Sequence, residues 1–236
     1  MRRLATLLLT AIALLALAAV AHSIEQAPNV PDAQTASFEE ADNYYQFGNF
    51  RRDTARLGRL AKRALNAQLD KLGKGKKPAI VFDIDDTALS TYECQRRTGE
   101  FGGTELTACV VAAGTETATG TGKGLPRIEP IHELFRKARR LDVSIFFITG
   151  RPDSARTASK QNLATRGFHG DYELTTFSGP LPETSKSLIP YKSAARAGIE
   201  KRGFEILLNV GDQLSDLRGG FSNRRFLIPN PMYFTR

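Results

Sequence analysis

Histidine is scarce in this 236-residue chain: His22, His132 and His169 are the only three. His22 lies in a polar stretch, His132 in a helical pattern and His169 in a Gly-flanked turn, and no Arg-His-Gly run occurs. A histidine nucleophile or a histidine-rich zinc site therefore lacks its residues. The three read as surface or packing side chains. Cysteine is almost as rare, with only Cys94 and Cys109. No cysteine directly follows the N-terminal apolar run, so a lipidated new N-terminus is excluded. A phosphate loop is also missing. Gly120-Thr121-Gly122-Lys123-Gly124 has Thr117 where the first glycine is needed and no Ser or Thr after Lys123. No internal repeat and no nucleic-acid recognition motif is visible.

Residues 1–21 read as a secretory signal peptide. Arg2-Arg3 gives a basic start, Leu4 to Val20 is almost wholly apolar, and Ala19-Val20-Ala21 is an A-x-A cleavage site. The rival reading is an uncleaved membrane anchor. After cleavage no stable membrane insertion is expected, and the protein would be periplasmic or secreted. About 215 residues remain, enough for one sizeable domain. In an exported chain, two cysteines fifteen positions apart read as a Cys94–Cys109 disulfide. Basic residues cluster from Arg51 to Lys77, ten against Asp53 and Asp70. On a helix such a run is a solvated face, and nucleic acid is not the expected partner.

His22–Ala36 is polar with two prolines and reads as a linker, leaving 37–236 as the domain. Leu57, Leu60, Ala64, Leu65, Leu69 and Leu72 recur at helical spacing, within a helix expected from Phe38 to Leu72 and breaking near Gly48. Ser37 and Glu40 fit a capping box. The first strand is expected at Ala79–Asp83. Tyr92–Arg127, rich in Gly and Thr, shows no long period and reads as a cap-like insertion over the site. Helices follow at Ile131–Leu141, Pro152–Arg166 and Tyr191–Arg202. Strands follow at Val143–Ile148, Tyr172–Phe177, Ile206–Val210 and Arg225–Ile228. The alternation predicts an α/β fold, a Rossmann-like parallel sheet with helices on both faces.

The most informative stretch is Val81-Phe82-Asp83-Ile84-Asp85-Asp86-Thr87. Apolar strand formers deliver three acids at a strand's carboxyl end, where ligands bind in open α/β sheets. Burying unpaired carboxylates is costly, so close acids call for a cation. Polar groups recur near later strand ends and helix starts: Thr149-Gly150-Arg151, Lys192, and Gly211-Asp212-Gln213-Leu214-Ser215-Asp216. These groups meet the needs of phosphoryl transfer. A carboxylate can attack phosphorus, and its neighbour can move the proton. A hydroxyl, backbone N–H groups and an ammonium can hold the equatorial oxygens. A hard divalent ion, Mg²⁺ foremost, can screen acid from phosphate.

These motifs resemble the haloacid dehalogenase superfamily, and within it the class B / vegetative-storage-protein-like acid phosphatases. Its first motif, D-x-D-x-T, stands as Asp83-Ile84-Asp85-Asp86-Thr87; the others stand at Thr149, Lys192 and Gly211 to Asp216. Asp83-Ile84-Asp85-Asp86-Thr87-Ala88-Leu89-Ser90, Thr149-Gly150-Arg151, Gly211-Asp212-Gln213 with Ser215-Asp216-Leu217, and Tyr44-Tyr45 carry the subgroup likeness, which runs from about Ala41 to near the C-terminus. The resemblance implies Asp83 as nucleophile and Asp85 as general acid/base, its backbone carbonyl also facing the metal. Asp212 would complete the Mg²⁺ ligands, with Asp216 in support. Thr149, Gly150, Arg151 and Lys192 would hold the substrate phosphate, with Arg151 equally suited to a structural ion pair. Lys186 is the rival for the lysine role. Asp86 fills the motif's variable position and is given no catalytic part.

The function this implies is an exported acid phosphatase acting on small phosphomonoesters, including nucleotides, through an aspartyl-phosphate. The Tyr92–Arg127 insertion has no clear counterpart, and in this superfamily such insertions shape substrate choice. A storage or binding protein on the same fold is the rival from another class; the intact motif set argues against it. A dehalogenase would not need Asp85, because halide leaves without a proton. A phosphotransferase would use the same groups.

Overall fold

The computed structural model describes residues 23–178 and 188–235. Among the described residues, six strands form one wholly parallel sheet in the order β1-β6-β5-β2-β3-β4. They are β1 (Ile24–Gln26), β2 (Lys77–Phe82), β3 (Ser144–Pro152), β4 (Glu173–Phe177), β5 (Phe204–Gly211) and β6 (Arg224–Leu227). The helices are α1 (Phe38–Gln46), α2 (Asn49–Leu69), α3 (Tyr92–Arg96), α4 (Gly103–Thr119), α5 (Glu129–Arg140), α6 (Arg156–Thr165), α7 (Ile189–Lys201) and α8 (Leu214–Leu217).

Side-chain alternation along the central strands divides the core between two faces. Ile80 and Phe82 of β2, with Ile145 and Phe147 of β3, pack among Leu57 and Leu65 of α2 and Ile131 and Phe135 of α5. Ala79 and Val81, with Phe146 and Ile148, point the other way and meet Ile199 of α7. Strands covered on both sides read as unbroken apolar runs, as β2 and β3 do. Parallel pairing then brings the carboxyl ends of β2, β3 and β5 to one edge, the edge of the site.

The expected long N-terminal helix is two helices. Gly48, at φ +78°, sits in the left-handed region and separates α1 from α2. The capping box at Ser37 and Glu40 is present, with Glu40 N–H donating to Ser37 Oγ and Ser37 N–H to Glu40 Oε2.

Three expectations are corrected. The stretch 22–36 is not all linker: Ile24–Gln26 is an edge strand paired with Arg225–Leu227. Three residues are too few to show a periodicity, and the pairing partner lies about two hundred residues away. Residues from Pro152 do not start a helix directly; β3 runs through Pro152, and a 3₁₀ turn at Asp153–Ala155 precedes α6. The Tyr92–Arg127 insertion is largely helical, holding α3 and the 17-residue α4. Its threonines hid that, because Thr and Gly are weak helix formers. Thr115, Thr117 and Thr119 donate their hydroxyls to carbonyls four residues back, Val111, Ala113 and Thr115. Among the described residues, no helix is long and apolar enough to cross a membrane. The signal-peptide reading of residues 1–21 and the rival lysine Lys186 lie outside the described residues.

Cys94 and Cys109 are bonded and join α3 to α4. A loop of that length restricts the unfolded chain by about 3 kcal/mol. Replacing both cysteines by serine is expected to lower unfolding stability by about that much. Denaturant titration of the oxidised protein and the double variant checks it; superimposable curves contradict it.

Candidate active site

The turn after β2 builds the first part of the site. Asp83 N–H donates to Val210 of β5, and Ala88 and Leu89 donate back to the Ile84 carbonyl, folding Asp83–Leu89 into a tight loop. Asp86 takes φ +53° inside it, a left-handed conformation that Asp tolerates better than most residues. Its buried carboxylate accepts from Thr91 N–H at 2.8 Å and from the Tyr233 hydroxyl at 2.7 Å. Burial pushes the Asp86 carboxyl up to about 6, against these hydrogen bonds. Asp86 thus ties the loop to the C-terminal segment, consistent with the absence of a catalytic expectation for it. Thr87 donates its hydroxyl to Asp212 Oδ1 at 3.0 Å and so links the first motif to the last.

Asp83 and Asp85 leave this loop toward one cavity of about 550 Å³. Asp85 is held in a two-point ion pair by Arg151, Nε to Oδ2 at 2.9 Å and Nη2 to Oδ1 at 2.6 Å. Arg151 spends a third donor on Ser159 of α6, so its fork is fixed in place. Burial opposes the Arg151 charge, but Asp85 and Asp83 outweigh it and its pKa stands above the ordinary value. Thr149 is fully buried at the end of the apolar part of β3, its hydroxyl accepting from Arg151 N–H at 3.2 Å.

Lys192 comes from the first turn of α7, where Pro190 sits at a position with no helical N–H to lose. Its ammonium donates to Asp83 Oδ1 at 2.8 Å and also to Asp216 Oδ1. Burial alone would discharge it; Asp216 and Asp83 more than reverse that and hold it charged.

The end of β5 supplies the remaining acids. Asp212 Oδ2 accepts from the side-chain amides of Gln213 and Asn230, each at 2.8 Å. Asp216 caps α8 by accepting from Gln213 N–H at 2.9 Å. Behind it, the fully buried Arg196 donates to the carbonyls of Asp216, Arg218 and Gly220, pinning the loop's backbone. Gly211 is required here, because a Cβ at that position would stand 2.3 Å from Asp216 Cβ.

Carboxylate oxygens of Asp83, Asp212 and Asp216 all lie within 4.8 Å of one another. Burial pushes the Asp83 and Asp212 carboxyls up, and the neighbouring acids add to it. Five buried or near-buried carboxylates (Asp83, Asp85, Asp86, Asp212, Asp216) face two cations, Arg151 and Lys192. Hard oxygen donors with negative charge left over fit a hard divalent cation. The Asp85 carboxylate is outside this trio and belongs to Arg151.

The structure therefore brings Asp83, Asp85, Gly150, Arg151, Lys192 and Asp212 around one cavity, with Thr149 and Asp216 directly behind it. The description of the HAD superfamily, subfamily IIIB (acid phosphatase), matches residues 4–236. The chain belongs to this family. Acid phosphatase 1 of Solanum lycopersicum is 33% identical over 168 residues, covering 69% of this chain and 61% of that protein. The Stem 28 kDa glycoprotein of Glycine max is 28% identical over 160 residues, covering 67% and 60%. Vegetative storage protein 1 of Arabidopsis thaliana is 31% identical over 155 residues, covering 65% and 54%. The chain thus spans 54–61% of the length of these relatives. The class C acid phosphatase from Bacillus anthracis shares the fold, with a TM-score of 0.59 and 21% identity over 84% of this chain and 85% of that one.

Some members of this subfamily IIIB site could not be read in the sequence. Asn230 and Tyr233 lie past the last strand in an irregular segment, where single polar residues carry no spacing signal. Arg196 sits in an ordinary helical pattern, and nothing local marks it as buried. Thr87 was visible as the closing letter of D-x-D-x-T, but its bond to Asp212 was not.

Gly211→Ala is expected to push Asp216 out of place and lower unfolding stability by about 1–3 kcal/mol, the scale of an overpacked core. Denaturant titration of the parent protein and the variant checks this. Superimposable curves contradict the close fit of Gly211 against Asp216.

Proposed function

We propose that this subfamily IIIB protein is an exported, Mg²⁺-dependent phosphomonoesterase. Its substrates are small phosphate esters, nucleotides among them, and it works through a phosphorylated Asp83. One observation carries the reading: the two acids of a single strand end share a cavity with Lys192, Arg151 and Asp212. That set supplies a nucleophile, a proton carrier, two cations and a further acid for a metal.

In the first step an Asp83 oxygen bonds to phosphorus as the ester P–O bond breaks. Asp85, once it has taken up a proton and loosened one arm of its pair with Arg151, gives that proton to the departing alkoxide, and the alcohol leaves. In the second step water attacks phosphorus and Asp85 takes its proton. The bond to Asp83 breaks, phosphate departs and the Asp83 carboxylate is restored. Thr149, the Gly150 N–H and Lys192 hold the equatorial oxygens. Arg151 aligns Asp85 and adds positive charge beside the phosphoryl group. Asp83, Asp212 and the Asp85 backbone carbonyl are the groups assigned to the cation, with Asp216 in support. Bound there, Mg²⁺ screens the carboxylates from the incoming phosphate.

Export is supported by the Cys94–Cys109 bond, which suits an oxidising compartment. Some relatives bear storage-protein and glycoprotein names. Retention of Asp83, Asp85, Thr149, Lys192 and Asp212 in one place favours catalysis over storage.

The test is hydrolysis of a chromogenic phosphomonoester by the protein with and without Mg²⁺, beside Asp83→Asn. Release that requires the metal and falls at least about a thousandfold in the variant is the expected outcome. Undiminished turnover by Asp83→Asn would overturn the nucleophile assignment. Thr87→Val, which removes the hydroxyl bond to Asp212, is expected to weaken divalent-cation binding about 10- to 100-fold. Calorimetric titration measures it, and an unchanged Kd would count against Asp212 as a ligand.

A further inference from the structure

The cavity of about 550 Å³ is strongly two-sided. Its charge lies at the floor, in Asp83, Asp85, Arg151, Lys192 and Asp212. One wall is a face of α4, with Leu106, Val110, Val111 and Ala118 at helical spacing. A second side comes from the end of β3, the turn after it and the start of α6, with Pro152, Ala155 and Ala158. The two helices touch where a Cβ on Gly114 would come within 2.9 Å of Ala158 Cβ. No other charged side chain lines the cavity among the described residues. Its one ring, Tyr233, belongs to the floor, with its hydroxyl donated to Asp86.

The threonines of the α4 wall do not alter this. Thr107 and Thr115 donate their hydroxyls to the carbonyls of Gly103 and Val111. Ser154, Thr235 and Gln213 add polarity without charge. Val111 is 63% exposed, a large apolar side chain left facing solvent beside a charged floor. An exposed valine on a pocket wall gains most from an apolar ligand laid against it.

We propose that the alcohol part of the substrate is apolar and uncharged, and that alkyl phosphomonoesters are used in preference to nucleotides and sugar phosphates. This rests on the phosphomonoesterase reading above and narrows it. A nucleobase or sugar laid along the α4 and α6 side chains would set most of its polar edges against apolar wall, with only uncharged Ser154, Thr235, Gln213 and the wall threonines in reach. An alkyl chain has no such groups to satisfy and removes apolar wall from water.

The experiment is kcat/KM for n-alkyl phosphates from ethyl to octyl, each below its critical micelle concentration, with Mg²⁺. A chromogenic phosphomonoester, a nucleoside 5′-monophosphate and glucose 6-phosphate run beside them. The expected result is a rise of about fourfold per added methylene until the cavity is filled, with the longer esters well above the nucleotide. Val111→Asp is expected to flatten that rise, and Val111→Leu to keep it. A flat series, or a nucleotide or sugar phosphate as the best substrate, overturns the proposal while leaving the phosphatase reading intact. Hydrolysis of none of the esters by folded, metal-supplied protein would bring down the phosphatase reading, and this inference with it.

Discussion

The mutual repulsion of the buried acids governs this molecule. Carboxylates collected at one sheet edge favour neither burial nor one another, and each needs a stated partner. Lys192 bridges Asp83 and Asp216, Arg151 takes Asp85, and Thr91 with Tyr233 takes Asp86. Asp212 is held by Thr87, Gln213 and Asn230. Those partners come from β3, α7, the β2 turn and the C-terminal segment, so the chain must close fully before the acids are compensated. The sheet topology, which gathers these segments at one edge, is what makes such a concentration of charge tolerable.

Much of this was legible in the sequence, because the central strands announce themselves. Ala79–Phe82 and Ile145–Ile148 are apolar on both faces and can only be covered strands, and the acids that follow them mark the functional edge. The D-x-D-x-T run, Thr149, Lys192 and the Asp212–Asp216 segment were readable as residues that such an edge demands. The illegible parts owe their structure to distant contacts. β1 exists because β6 accepts it. Asn230 and Tyr233 matter only because the chain folds back beside Asp212 and Asp86. α4 is a helix despite its threonines, because it is bonded to α3 through Cys109, near its middle, and packed on α6. In each case tertiary contact overrode weak local preference.

The site and its wall draw on different parts of the fold. The charged floor is set by sheet strands and the buried loops after them, and Gly211 and Arg196 leave it little freedom. Most of the wall is one helix inserted after β2, outside the sheet and held near its middle at Cys109 and at Gly114. Floor and wall are therefore separable: side chains on the exposed face of α4 can change without disturbing the acids beneath.

The bond between Cys94 and Cys109 has a consequence for a chain cut beside it. Residues 97–100 form the exposed part of the link between α3 and α4, the kind of segment proteases cut first. A single cut there would break the chain without releasing either end, since the sulfur bridge spans the break. The helix that walls the cavity would stay in place, and the protein could be nicked and still keep its shape.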